Sequence, residues 1–384
     1  MDRANCIVCG AELSEEPLYI RSNMPALSQN LPTEADLDSD GPIEYRIFQC
    51  RGCGLVQFAC EPVSYYKDST RAGERCEVLI NLRRKQYKHL IETYHLQGKK
   101  LIEIGAGKGG FLKTLKEMKE YSVKEFGLEN NPEFVRIAKD EMGVNVFQGD
   151  IENAGLIMTD APFDAFMSFA YPARLLDPNT MLMNIYDNTT ENAVGLIQVP
   201  SLEHLLEPGG FFDITKDHIA YYDEKSLSFL LQKNGFEVLE FGKAAQIYIY
   251  AIVRKRKAYN FVNAWQDVDC LVEQAKEFVK KRKQDNQKIA VWCAGHFAFT
   301  VLAIANIGQD ISYIIDNAKF KQNRYAPVTH VPIHGPEHYV SEPVENILIL
   351  GPIYIDEIVK EIREKFGDNV KIFFLNKEGL KGVK

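Results

Sequence analysis

No part of the chain is apolar for long enough to cross a bilayer. The longest such runs, typified by Ile347–Ile355, have only the length of a strand. Met1 to Gly10 carry no apolar core of the kind that directs secretion. An excess of basic charge is also missing, for the formal net charge is -8, which argues against a duplex nucleic-acid partner. There is no repeat of fixed period and no low-complexity tract. These absences lead to an expectation of a cytoplasmic protein, a monomer or small homo-oligomer, without membrane or nucleic-acid partners. At 384 residues the chain is too long for one ordinary core, so two or three domains are expected.

Eight cysteines are present, and in a reducing compartment they point to metal binding or plain core thiols rather than disulfides. Four fall in two C-x-x-C knuckles, Cys6-Ile-Val-Cys9 and Cys50-Arg-Gly-Cys53, separated by 40 residues of largely irregular character. Two such pairs can place four thiolates around one Zn²⁺ with no open position, so the metal would be structural. Four buried thiols are the plainer alternative. Residues 44–58 read as a hairpin with the second knuckle at its turn.

From Ser69 to His95 the apolar spacing predicts a helix, and strands then alternate with helices. Strands are expected at Lys100–Ile104, Val123–Leu128, Val144–Gln148, Phe163–Phe169 and Asn192–Val199. Helices are expected at Gly109–Met118, Pro132–Met142 and Leu227–Asn234. This is the pattern of a parallel sheet covered on both faces. A long amphipathic helix over 259–286 leads into a second, smaller α/β unit with strands at Lys288–Trp292, Ser312–Ile315 and Asn346–Leu350.

The densest chemistry lies in Leu101-Ile-Glu-Ile-Gly-Ala-Gly-Lys-Gly-Gly110, a strand that runs into a glycine turn and opens a helix. Gly105, Gly107 and Gly110 formally satisfy a dinucleotide G-x-G-x-x-G turn. Glu103 argues otherwise, since a carboxylate there would repel a pyrophosphate but suits a cationic cofactor with an amino-acid end. Glu129 closes the second strand, where carboxylates bind ribose hydroxyls. Asp150 follows the third strand, and Ser168 sits near the end of the fourth. The set resembles the layout of class I S-adenosylmethionine (SAM)-dependent methyltransferases. Glu103, Gly105, Gly107, Glu129, Asp150 and Ser168 are then candidate cofactor contacts. Beyond the fifth strand, Asp217-His218 precedes Tyr222, and a histidine there suits proton transfer at neutral pH, although it would equally serve to pack the loop.

Across nearly its whole length the chain resembles the C-methyltransferases of nucleotide-linked deoxysugars. Ala290-Val-Trp-Cys-Ala-Gly295, Tyr313-Ile-Ile-Asp-Asn317, Lys321-Gln-Asn-Arg-Tyr-Ala-Pro327 and Val331-Pro-Ile333 carry the C-terminal match, and Tyr65-Tyr66 and Ser69 fall in a tyrosine/serine segment near the active site. The resemblance implies a zinc module (1–62), a class I methyltransferase domain with a doubly wound sheet (63–255) and a Rossmann-like accessory domain (256–384). It also implies deprotonation beside a sugar ketone and attack of the enolate on the SAM methyl. His218 would be the base with Asp217 before it, and Arg174 or Tyr222 would lie near the substrate. Two positions depart from the family: Thr215 replaces a tyrosine, and Arg174 replaces a second histidine. O- or N-methylation of a small molecule, and a SAM-binding protein without turnover, are the alternative expectations; a nicotinamide oxidoreductase is more remote. The C-terminal glycine turn at Cys293–His296 would either hold a nucleotide or only support the fold.

Overall fold

The computed structural model describes residues 4–29, 31–66, 76–351 and 353–383. They divide into two compact units, 1–257 and 258–384. Ser69, and the first part of the helix expected from it, lie outside the described residues.

The first unit opens with strands β1 (Tyr19–Met24), β2 (Ile43–Gln49) and β3 (Val56–Phe58). β2 and β3 form the expected antiparallel hairpin, with Cys50 and Cys53 at its turn. Helix α1 (Glu77–Thr93) buries Tyr87, Leu90 and Ile91, together with Arg83 and Gln86. Then follow β4 (Lys100–Ile104), α2 (Gly110–Glu117), β5 (Lys124–Glu129), α3 (Pro132–Asp140), β6 (Val146–Gln148) and β7 (Phe163–Phe169). The start of α3 is written in the sequence: Asn131 accepts from the N–H groups of Glu133 and Phe134, and Pro132 occupies the first turn. Helix α4 (Pro178–Asp187), strand β8 (Thr189–Pro200), short helix α5 (Leu202–Leu206), strand β9 (Ala220–Tyr221) and helix α6 (Glu224–Lys233) come next. The unit closes with a hairpin of β10 (Phe236–Ala244) and β11 (Tyr248–Lys255).

Seven strands build the main sheet in the order β10-β11-β8-β7-β4-β5-β6. β11 pairs antiparallel with both neighbours, whereas the β8-β7-β4-β5-β6 pairs are parallel. This is the class I methyltransferase arrangement. The strand order reverses between β4 and β7, and ligands bind at the carboxyl ends beside such a point. A second sheet, β1-β2-β3-β9, borrows its last strand from the loop after α5. Residues 1–62, read from sequence as a module of their own, share one core with the main sheet. Cys6, Val8, Cys50 and Leu55 are clustered with Phe166, Leu182, Tyr222 and Leu230.

The second unit comprises α7 (Val262–Gln284), β12 (Ile289–Trp292), α8 (His296–Ala305), β13 (Tyr313–Ile315), β14 (Arg324–Tyr325), β15 (Pro332–His334), α9 (His338–Ser341), β16 (Asn346–Ile349), α10 (Ile355–Phe366), β17 (Lys371–Asn376) and β18 (Gly379–Gly382). Its sheet order is β14-β15-β13-β12-β16-β17-β18, parallel except at its two edge strands. That is the Rossmann-like unit expected. Among the described residues, no helix is long and apolar enough to cross a membrane.

The main sheet leaves little room above β8. A Cβ at Gly195 would lie 2.2 Å from Cζ of the buried Phe166 ring. Gly195→Ala is therefore expected to cost about 1–3 kcal/mol through overpacking. Urea unfolding followed by circular dichroism would read this as a lower midpoint, and an unchanged midpoint would mean that the ring moves aside freely.

Candidate active site

The turn after β4 holds the glycines that are candidates for the cofactor contact. Gly105 and Gly107 take φ +72° and +56°, in the left-handed region that favours glycine. At Gly105 there is a second reason: a Cβ would meet the Tyr171 ring at 2.9 Å. Glu129, at the end of β5, fixes the turn from across the sheet. One of its carboxylate oxygens accepts from Gly107 N–H at 2.8 Å, and the other accepts from Asn131 N–H at 2.9 Å. A carboxylate offers about four lone-pair sites, so two backbone bonds leave it able to take ribose hydroxyls.

Asp150 accepts from Glu152 N–H at 3.1 Å, and Glu152 accepts from the Tyr66 hydroxyl at 2.7 Å. Tyr171 joins these groups electrically. Its phenol is pushed well above the ordinary value by burial first, then by Glu129, Glu152 and Asp150. Gly105, Glu129 and Asp150 thus all neighbour Tyr171, and Gly107 is bonded to Glu129. Glu103 is buried in β4 two residues before the turn. Ser168 is fully buried, and its hydroxyl donates to the Ile104 carbonyl at 3.3 Å, so it ties β7 to β4. The sequence analysis passed over Tyr171 and Glu152. Their role comes from neighbours on other strands, and the nearest local signal is that Tyr171 follows the end of β7.

A pocket of about 230 Å³ is lined by Phe111 of α2, Phe169 at the end of β7, Arg83, Arg174, Gln198 and His218 among others. His218 and Arg174, singled out from sequence, share it. Arg174 sits in a short 3-10 turn after β7 and is buried. Arg83, which the sequence analysis did not single out, comes from the inner face of α1. Its guanidinium lies 3.6 Å from the Phe169 ring centroid and 4.6 Å from that of Phe111. It also donates to Gln198 Oε1 at 2.8 Å and to the Gln86 side chain. A larger groove of about 430 Å³ lies against the four-stranded sheet, but no carboxylate, histidine or arginine lines it.

The loop before β9 carries Asp217 and His218, the candidate acid–base residues. Asp217 is buried, and its Oδ1 accepts from the Tyr65 hydroxyl at 2.9 Å. Thr215, at the position where the family resemblance places a tyrosine, instead shares a hydrogen bond with Ser28 Oγ at 2.8 Å and accepts from Asp217 N–H at 3.2 Å. Tyr222 does not join the pocket. It is fully buried beneath the cysteine cluster, and burial, with Cys6 and Cys53 adding, pushes its phenol far up. The placement of Tyr222 near the substrate is corrected on this ground, because β9 carries the chain away from the pocket within four residues of His218.

Cys6, Cys9, Cys50 and Cys53 come together as predicted, with all sulfurs within 4.8 Å of one another. Cys6 and Cys53 are 3.6 Å apart, and Cys9 and Cys50 3.3 Å. A tetrahedron with ~2.3 Å zinc–sulfur bonds has edges of about 3.8 Å, so the cluster suits such an ion. The N–H groups of Ala11 and Gly52 point at Cys9 and Cys50 sulfurs, at 3.5 and 3.3 Å, as donors to metal-bound thiolates do. In the second unit, Asp316 accepts from Ala294 N–H at 2.8 Å and pairs with Lys321 at 2.9 Å, which fixes the glycine turn before α8.

Comparison with known proteins now decides the class of the chain. Residues 80–241 match the family model described as a methyltransferase domain, and residues 253–375 match the one described as a C-methyltransferase C-terminal domain. The two matches make the chain a SAM-dependent methyltransferase whose C-terminal part is similar to that of C-methyltransferases. It is thus an enzyme, and the reading as a binding protein without turnover falls away. The methyltransferase is 21% identical over 390 residues to C-methyltransferase NovU of Streptomyces niveus, covering 94% of this chain and 92% of that protein. Similar solved structures include SAM-bound CalS10, an amino pentose methyltransferase from Micromonospora echinaspora, at 12% identity and TM-score 0.38 over 47% of this chain and 93% of that one. Another is a SAM-dependent methyltransferase of Thermotoga maritima, described as a possible histamine N-methyltransferase, at 22% identity and TM-score 0.36 over 48% of this chain and 98% of that one.

The Gly105 contact gives a direct test of the cofactor end. Gly105→Ala forces both a strained φ and a clash with Tyr171. It is expected to weaken S-adenosylhomocysteine (SAH) binding at least tenfold in isothermal titration, about 1.4 kcal/mol. Affinity within twofold of the parent would remove Gly105 from the cofactor turn.

Proposed function

We propose that this methyltransferase acts on a nucleotide-linked sugar and methylates a ring carbon beside a keto group. The observation that carries the reading is that His218 and Arg174 share one small pocket with Phe111 of α2, the helix that follows the glycine turn. His218 removes the proton from the carbon next to the carbonyl, and the Arg174 guanidinium stabilises the enolate oxygen that results. SAM supplies the electrophilic methyl, held through Glu103, Gly105, Gly107, Glu129 and Asp150. The enolate carbon takes the methyl as the carbon–sulfur bond breaks, leaving SAH as a neutral thioether. Asp217, buried next to His218 in sequence, supports the loop that carries the base.

In this reading a zinc ion held by Cys6, Cys9, Cys50 and Cys53 is structural, since four thiolates close its coordination. It fixes the β2–β3 turn and, through the pairing of β3 with β9, the loop bearing His218. Replacing Cys50 with serine is expected to lower the zinc content from one ion per chain to well below half, measured by elemental analysis of the purified protein. Full retention would show that the cluster is not the metal site.

One observation favours a second reading, O- or N-methylation. Thr215 is engaged by Ser28 and Asp217, so residue 215 offers the pocket no counterpart of the family's tyrosine hydroxyl. An oxygen or nitrogen nucleophile requires no enolate stabiliser. Methyl-¹³C SAM with a panel of nucleotide sugars and ketosugars separates the two. Label on a ring carbon, and a loss of at least 10²-fold in kcat for His218→Ala, are expected from general-base catalysis. Label on oxygen or nitrogen would replace the enolate route, and no transfer to any member of the panel would end the sugar assignment.

A further inference from the structure

Tyr65 and Tyr66 are consecutive, yet their hydroxyls end on opposite sides of the site. They lie in the turn 64–66, closed by Tyr66 N–H donating to the Val63 carbonyl at 3.1 Å. Tyr66 donates to Glu152 Oε2 at 2.7 Å. Glu152 is bonded in turn to Asp150, and both belong to the set of acids, with Glu129, that surrounds the Tyr171 phenol. This is the cofactor side. Tyr65 donates to Asp217 Oδ1 at 2.9 Å, next to His218. Its oxygen also accepts from the N–H groups of Ser28 and Gln29, at 3.2 and 3.4 Å. Gln29 and His218 both line the pocket that holds Arg174. This is the acceptor side.

We infer that the Tyr65-Tyr66 pair is a positioning clasp, through which an occupied cofactor site steadies the Asp217–His218 loop before the acceptor is methylated. The coupling needs only short, contiguous contacts. Bound cofactor engages the acids at the ends of β5 and β6 and restrains Glu152. Glu152 restrains Tyr66, and the single peptide between the two tyrosines carries that restraint to Tyr65 and Asp217. The Tyr65 phenol is well suited to its place. Burial raises it above its ordinary value, the Ser28 N–H works against this, and the Asp217 carboxylate adds to the rise, so it stays protonated and donates. Besides Tyr65, the loop 213–218 is bonded to Tyr45, Ser28, Tyr221 and, through Asp213, to His204.

The clasp rests on the reading of the 217–218 loop as the acceptor side, but its test requires no acceptor. Hydrogen–deuterium exchange of the full chain is followed with and without saturating SAH, in the parent, Tyr65→Phe and Tyr66→Phe. In the parent, SAH is expected to slow exchange over residues 213–219 at least fivefold. Tyr65→Phe should abolish that protection while SAH still binds within about twofold by titration. Tyr66→Phe, measured at SAH concentrations that saturate it, should abolish it too. Unaltered exchange in β4 and β7 of both variants separates this result from general unfolding. Protection of 213–219 that persists in either variant, or is absent in the parent, overturns the clasp. A failure of His218→Ala to reduce methyl transfer would instead overturn the assignment of the base and leave the exchange result standing by itself.

Discussion

The pairing of β3 with β9 is the contact on which the place of the Asp217–His218 loop depends. Val56 and Gln57 face Tyr221 and Ala220, and Phe58 N–H donates to the Ile219 carbonyl at 2.9 Å. Through that short ladder, a loop that leaves the main sheet after β8 is stitched into the sheet that carries the cysteines. Tyr222 and Cys6, Cys50 and Cys53 then share the core with the helices that cover the main sheet. His218 stands two residues before β9, so its place is set from both sheets at once. The cofactor turn has no such dependence. Glu129 and the two glycines belong to adjacent strands of the main sheet and fix one another directly.

This contrast accounts for what could be read in the chain. The turn after β4, the acid ending β5 and the paired C-x-x-C knuckles were legible because the needed residues lie within one strand–turn–helix unit or one hairpin. Strand and helix positions were legible for the same reason, as with Pro132 and Asn131 at the start of α3. Helix α4 went unread although Asp177 and Pro178 open it as Asn131 and Pro132 open α3, and the register of the β10–β11 hairpin slips between Val238 and Glu240. Arg83 escaped notice because a basic residue on an amphipathic helix is normally outward-facing. Here aromatic faces from β7 and α2 make its burial possible.

Tyr222 shows how narrow the margin is in the other direction. It stands four residues from His218 and is as apt a proton donor on paper as any tyrosine. Ile219 to Tyr222 are all buried, with Tyr221 in the core of the four-stranded sheet and Tyr222 in the core that holds the cysteines. Sequence proximity gave the right neighbourhood and the wrong face. Tyr65 presents the converse, a residue 152 positions from Asp217 in the chain and in hydrogen-bond contact with it. The departure at Thr215 is local as well, since Ser28 and Asp217 engage its hydroxyl.

The close approach of the four sulfurs has a bearing on how the enzyme ages. Without a metal the thiols share protons unequally: donation from Cys53 pulls Cys6 down to about 5, while Cys53 is driven upward. Two sulfurs 3.6 Å apart with no metal between them can be joined by an oxidant that reaches them. Metal-stripped protein kept in air would therefore drift toward cross-linked or oxygenated sulfur. The damage would begin in the hairpin turn and reach the base-bearing loop through β9, while the cofactor turn kept its shape. Reductant added together with zinc would rescue such material only while that chemistry remained on the reversible rungs of sulfur oxidation.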